Sequence, residues 1–333
     1  MWRKIQKTLA NFIPLILLVA FVVIAISLLN RWDSMVAVTL IPIWAWAGFG
    51  MAVSLICWLL CREIPPIVTF CLFLACGIAF SEETLTIMRE LGVAIRGGNP
   101  GDAPAEKPFR VVNVNSAGSV EALKKAIDGQ PDVVIIQEAP GESELEAVAD
   151  QLYGVDRAVS RHKTSAIIAR GVILGEIGDS ESSTMHVRLK LADGMILDLT
   201  NLDLGELIPR FDIWRPSVWK ELMETRISNR RLVRACLGEN EITTVDIGRI
   251  VSGGFGTPPG DDVFRPLETS GLVDTFRAAG LGWGNTYPPD YPFLRLDQIW
   301  VSPNLKPLKS VSRLNSASPR RTVVCDLKLP GGK

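Results

Sequence analysis

The chain holds few side chains suited to proton transfer or metal binding. Its only histidines are His162 and His186, each at or just before the start of a β-like run. A histidine needs a partner to act as acid or base, and both read as surface or strand-edge residues. Asp261-Asp262 follow Pro258-Pro259-Gly260. Loop acids in that setting are usually solvated, although such a pair could reach back to a metal. The basic groupings are Arg226, Arg230, Arg231 and Arg234 within one helical pattern, and Arg320-Arg321. Without a denser Lys/Arg stripe the helical group reads as a solvated face, and nucleic acid is not expected as a partner. Cys57, Cys61, Cys71 and Cys76 lie in or beside apolar runs, where thiols pack as small apolar groups. Cys236 and Cys325 could form one disulfide in an oxidising compartment, but nothing in their spacing argues for it, so two buried thiols are expected. Metal spacing of the Cys-x-x-Cys kind is absent.

The elements that must carry these groups divide the chain sharply. Its 333 residues balance 35 basic against 36 acidic side chains, yet the mean hydropathy is +0.23. The apolar residues must therefore be concentrated somewhere. Phe12 to Leu29, Met35 to Cys61 and Pro65 to Ser81 contain no charged residue. A helix needs about 20 apolar residues, at the short end about 17, to cross the hydrocarbon layer. Three transmembrane helices are expected, and the lipid bilayer is the first predicted partner. Arg3, Lys4 and Lys7 precede the first span, but its apolar run is too long for a signal-peptide core and no cleavage pattern follows. These cations, against a first loop in which Arg31 is balanced by Asp33, put the amino terminus inside. Three spans then put the rest outside, in a multi-pass protein of the cell membrane.

Residues 1–81 are thus read as the anchor, 82–107 as a juxtamembrane segment and tether, and 108–333 as one soluble domain. Glu82 to Ile95 has helical spacing and Gly97 to Lys107 reads as a flexible linker. In the soluble part, strands are expected at Phe109 to Val114, Asp132 to Ile136, Thr164 to Ala169, Met185 to Leu191 and Met195 to Leu202. Later strands are expected at Arg249 to Ser252, Leu294 to Val301 and Thr322 to Leu329. Ser119 to Ile127 and Val218 to Leu237 read as helices. Pattern alone says only mixed α and β.

Several strand ends resemble those of the endonuclease/exonuclease/phosphatase family. Arg110 to Asn115 is similar to its first strand, which ends in Asn, and Asp132 to Glu138 to its second, which ends in Gln-Glu. Thr200-Asn201-Leu202-Asp203-Leu204 resembles its Val-Asn-Thr-His-Leu run, and Gly253 to Pro258 its Gly-Asp-Phe-Asn-Thr-Pro motif. Leu294 to Trp300 resembles Arg-Ile-Asp-Tyr-Ile, and Ser318 to Leu327 the closing Ser-Asp-His-Arg-Pro-Val-Val-Ala-Asp-Leu. The resemblance implies an α/β fold of two sheets packed as a sandwich with helices outside, following the three-helix anchor.

It also implies metal-dependent hydrolysis of a phosphate ester, and the positions for that chemistry can be followed one by one. Asn115 and Glu138 match the family's Asn and metal-binding Glu. Gly254 and Gly256 stand where its motif has Asp and Asn. Pro319 and Arg320 stand where it has Asp and His, and Asp203 where it has another His. Thr257 matches the motif Thr, and Asp297 the acid that orients the closing His. Arginine stays protonated and cannot act as a base. The expectation is a pseudoenzyme that binds a protein or a phosphorylated ligand and needs no cofactor. The alternative is a Mg²⁺-dependent phosphoesterase or nuclease with relocated ligands: Glu138, Asn115, Asp203 and one of Asp261 and Asp262.

Overall fold

The structure is a computed structural model and describes residues 2–96, 107–180, 182–210, 212–238 and 247–330. Most of the expected tether, Gly97 to Lys107, lies outside the described residues. Five helices come first: α1 (Trp2–Asn30), α2 (Val36–Thr39), α3 (Ile43–Cys61), α4 (Pro65–Phe80) and α5 (Glu82–Ile95). Two of them, α1 over Ala10–Asn30 and α3, are long and apolar enough to cross a membrane. The third, α4, falls short of that length alone and bends by 66° into α5 at Ser81. Helices α1, α3 and α4 pack on one another, with Phe21 and Phe73 edge to face.

The soluble part forms two six-stranded sheets. The first has the order β11-β12-β1-β2-β4-β3, with β1 (Phe109–Asn115), β2 (Val133–Gln137), β3 (Arg157–His162), β4 (Ser165–Arg170), β11 (Lys306–Arg313) and β12 (Thr322–Lys328). The second has the order β5-β6-β7-β8-β10-β9, with β5 (Val172–Gly178), β6 (Met185–Lys190), β7 (Ile196–Asp203), β8 (Ile247–Gly254), β9 (Val273–Asp274) and β10 (Asp297–Val301). Each sheet has one parallel pair near its centre, β1–β2 crossed by α6 (Val120–Ala126) and β7–β8 crossed by α8 (Pro216–Leu237). Such pairs need a helical crossover, and their carboxyl ends are where open α/β sheets place sites.

Alternation explains the layers. Val111, Val133 and Ile135 face the inter-sheet core with Leu197, Leu199 and Ile250, while Val112, Val134 and Ile136 face α6 and α7 (Glu142–Tyr153). Strands covered on both sides read as continuous apolar runs, which is why β1 and β2 were visible in the sequence. The polar strands β3 and β11 and the exposed β5 lie at or beside sheet edges and have no such signature. The expected strand at Leu294 to Val301 begins only at Asp297, because Arg295 turns into a buried ion pair and Leu294 bridges to Tyr287. His162 closes β3 and pairs with Ser165, the first residue of β4, and His186 is the second residue of β6. Cys325 points into the inter-sheet core, and Cys236 sits near the end of α8 and packs against the cluster on the far side of the second sheet; both are free thiols.

Three expectations change where the amino-terminal helices meet the sheet domain. The second span was expected from Met35, but Val36, Ala37 and Leu40 are buried in the domain core against Leu222, Val233 and Phe264, and the long apolar helix starts at Ile43. Burying a Val or Leu side chain stabilises by about 1.5–3 kcal/mol, so these three residues pack as part of the domain core. The arginine face of α8 is only partly solvated. Arg226 is fully buried, with Nη2 2.5 Å from Asp261 and bonded to Thr39, and Nη1 donating to the Trp32 carbonyl at 3.1 Å. Nor are Asp261 and Asp262 solvated loop acids: Asp261 holds Arg226, and Asp262 holds Arg230 and Arg265. Helices α9 (Arg265–Thr269) and α10 (Thr275–Ala279) complete this side.

Helix α5 is docked on the domain as well. The Thr86 hydroxyl donates to Gly282 O at 2.8 Å, and Arg89 donates to Gly280 O at 2.8 Å. Glu82 and the buried Asp274 share one guanidinium, Arg295, at 2.9 and 2.5 Å. With a single positive charge for two carboxylates, burial outweighs the pull of Arg295, and the Glu82 carboxyl is pushed up from 4.5 to about 7. A raised folded pKa favours the protonated fold, so this contribution is full below about pH 4.5 and declines as pH rises through about 7. Melting temperature should therefore fall between about pH 5 and about pH 8, and Glu82→Gln should flatten that dependence. An unaltered pH profile in Glu82→Gln would show that the pair stays ionised throughout.

Candidate functional site

The carboxyl ends of the two parallel pairs meet at one end of the sandwich. At the end of β1, Asn115 is buried, its Nδ2 donating to Glu138 Oε1 at 2.8 Å while its Oδ1 accepts from Ala117 N at 3.0 Å. Glu138, just past β2, is exposed and has a left-handed backbone, φ 47°. Beneath them a buried amide network joins the sheets. Gln137 Nε2 donates to Asn113 and Asn201 at 2.9 and 2.8 Å, and Asn201 Nδ2 donates to the Ile136 carbonyl at 2.8 Å.

On the second sheet, strand register lines up three positions. Gly254 ends β8 with Asp203 of β7 opposite on one side and Asp297 of β10 on the other. The side-chain space of Gly254 is filled by Arg320. A Cβ built there would lie 2.9 Å from Arg320 Nη1, 3.6 Å from Asp203 Oδ1 and 3.7 Å from Asp297 Oδ1. Arg320 is buried, with Nη1 3.1 Å from Asp297 Oδ1 and Nη2 2.6 Å from Glu206 Oε1. Burial works against its charge, but Asp297 and Glu206 outweigh that and hold the guanidinium protonated above its ordinary range. The other oxygen of Asp297 accepts from the Thr286 hydroxyl at 2.6 Å. Burial raises the Asp203 carboxyl; Arg320 opposes this, while Glu138, Asp297 and Glu206 add to it.

The remaining expected positions lie outside this cluster. Gly256 has φ +63°, and a Cβ there would come 2.7 Å from Gly205 O, so the backbone leaves no room for a side chain. Thr257 is buried, and its hydroxyl has no partner among the described residues. Pro319 is exposed and contributes only its backbone. His162 Nε2 contacts Asp179 O at 2.7 Å, and His186 Nδ1 contacts Thr200 Oγ1 at 3.1 Å; neither joins the cluster. Burial lowers the His186 pKa, with Asp198 opposing. Sequence reading missed Glu206, Thr286 and the Asn113–Gln137–Asn201 network. Glu206 and Thr286 lie in loops without a motif, whereas the polar residues within β1, β2 and β7 were the available sign of the network.

The fold family implies a divalent metal, and these residues do not fit one. The Asn115 amide oxygen accepts from Ala117 N and its nitrogen donates to Glu138, Asp297 accepts from Thr286 and Arg320 on its two oxygens, and that guanidinium stands over Gly254, where a metal would meet a fixed positive charge. Among the described residues no group of three or more His, Cys, Asp or Glu could hold a metal ion. Asp261 and Asp262, the acids that a relocated site would borrow, are committed to arginines of α8 and α9.

Neither the family models nor the curated proteins contain a match to this sequence. Solved structures do match. An endonuclease/exonuclease/phosphatase from Beutenbergia cavernae DSM 12333 is similar over 68% of this chain and 72% of its own, at 17% identity and a TM-score of 0.51. The mannosyl-6-phosphatase of Bacteroides thetaiotaomicron VPI-5482 is similar over 66% of this chain and 100% of its own, at 15% identity and a TM-score of 0.50. At such identities the likeness establishes architecture and not activity. The soluble part of this chain therefore has the two-sheet α/β sandwich of the endonuclease/exonuclease/phosphatase fold.

Proposed function

We propose that this is a membrane-anchored protein whose endonuclease/exonuclease/phosphatase-like domain binds a protein or phosphorylated ligand without hydrolysing it. The observation that carries this is Arg320, whose guanidinium fills the space over Gly254 and is tied to Asp297 and Glu206. Where the family resemblance puts a water-activating acid there is no side chain, and where it puts an acid–base histidine there is a permanent cation. General acid–base catalysis contributes about 10²–10⁴-fold and a lost electrostatic donor costs about 10²–10³-fold, so little rate remains even though such losses do not add. The purified protein should turn over DNA, RNA, phosphoinositide and simple phosphodiester substrates no faster with Mg²⁺ or Mn²⁺ than in chelator. A metal-dependent rate that disappears in Glu138→Ala or Asn115→Ala would establish relocated ligands instead.

We further propose three membrane crossings, with the amino terminus in the cytoplasm and the domain on the opposite face of the cell membrane. Residues 31–42, which follow α1, and helix α5, which follows α4, both pack on the same domain, so they share one side. The turn at Arg62–Ile64 between α3 and α4 then belongs to the other, which makes α4 a short crossing. Arg3, Lys4 and Lys7 place the amino terminus inside. A reporter active only in the cytoplasm, fused after Lys333, should be silent; an active fusion would reverse the orientation.

A further inference from the structure

A cavity of about 480 Å³ opens where α1 ends, between residues 30–33 and the outer face of α8. Five arginines line it, Arg31, Arg230, Arg231, Arg234 and Arg265, against only two acids, Asp33 and Asp262. Those acids are already spent. Asp33 lies 2.9 Å from Arg230, while Asp262 serves both Arg230 and Arg265, the latter at 2.6 Å. Arg31 is neutralised by Glu268 at 2.7 Å. The guanidinium groups of Arg231 and Arg234 have no hydrogen bond or ion pair among the described residues. They stand three residues apart, hence on one face of α8, where α8 borders the cavity. The cavity therefore presents two uncompensated cations in a rim held rigid by ion pairs.

Its depth identifies the anion. The apolar stretch of α1 ends at Asn30, and its 21 residues match the hydrocarbon thickness at about 1.5 Å per residue. Trp32, 48% exposed, lies on the cavity wall two residues further on, the kind of residue that settles at headgroup level. Fixed cations at that level face the phosphates of the bilayer. We propose that this cavity binds the phosphate headgroup of an anionic phospholipid, fastening α8 to the membrane beside α1. The assignment rests on the membrane-anchor reading above and is independent of the cluster around Arg320.

The test uses the full chain in a neutral detergent, titrated with short-chain phosphatidylglycerol, short-chain phosphatidylcholine and inorganic phosphate while melting temperature is followed. Phosphatidylglycerol should stabilise the protein saturably, and phosphatidylcholine at the same concentrations should not. A charge-assisted hydrogen bond to a phosphate is worth about tenfold in affinity, so Arg231→Gln with Arg234→Gln should weaken the lipid affinity by about 10²-fold. Both side chains are exposed and unpaired, so the lipid-free melting temperature of this variant should stay where it was. Equal effects of the two lipids, or an affinity unchanged in the double variant, would overturn the proposal. Inorganic phosphate binding as tightly as phosphatidylglycerol would overturn the lipid assignment in favour of free phosphate. Extraction of membranes with alkaline carbonate tests the anchor separately: release of the protein would sink that reading, whereas retention without lipid selectivity would sink only this one.

Discussion

Asp261→Ala should destabilise the folded protein by about 3–5 kcal/mol, because it leaves the Arg226 guanidinium buried with its charge uncompensated. Both side chains are fully buried, and Arg226 also holds the Trp32 carbonyl and the Thr39 hydroxyl of the loop between α1 and α3. The damage should spread from the pair to that loop. Thermal unfolding of the detergent-solubilised chain reads the first effect, and faster proteolysis within residues 31–42 reads the second. Replacing both partners by apolar residues, Arg226→Met with Asp261→Leu, should recover most of the loss, since a buried pair offers little beyond its own desolvation cost. A loss below about 1 kcal/mol in Asp261→Ala would mean that water reaches Arg226.

Arg320→Ala should cost a comparable amount, about 3–5 kcal/mol, for the same physical reason at the other end of the sheets. Asp297 would remain buried with only Thr286 as a partner, and Asp203 would lose the one positive charge that opposes the rise of its carboxyl. Acids whose folded pKa is raised favour the protonated fold, so stability is lost as pH rises through that pKa. The deficit of Arg320→Ala relative to the unaltered protein should therefore be greater at about pH 8 than at about pH 5. Melting curves at both values decide it. A deficit independent of pH would indicate lost packing over Gly254 and not a cluster of uncompensated acids.

The two destabilising sites differ in how legible they were. Asn115, Glu138, Asp203, Gly254 and Asp297 sit at ends of strands whose apolar runs are buried on both faces, so their convergence could be expected from strand pattern and family resemblance together. That Arg320 would fill the volume of a missing side chain could not, because the contact spans two sheets and depends on where its guanidinium finds Asp297 and Glu206. Edge strands such as β5 and β11, exposed or polar, carried no periodic signal either.

By itself the sequence determined the apolar front of the chain, the central strands and α8, since each depends on local composition and periodicity. Only the tertiary structure decided that Val36, Ala37 and Leu40 belong to the soluble core, and that Arg226, Asp261 and Asp262 are buried supports instead of a solvated face and loop acids. The physical reason is that burial of a charge or a short apolar segment is set by partners distant in the chain. Arg226 and Asp33, or Glu82 and Arg295, are far apart in the chain and meet only where the amino-terminal segments pack on the sheet domain.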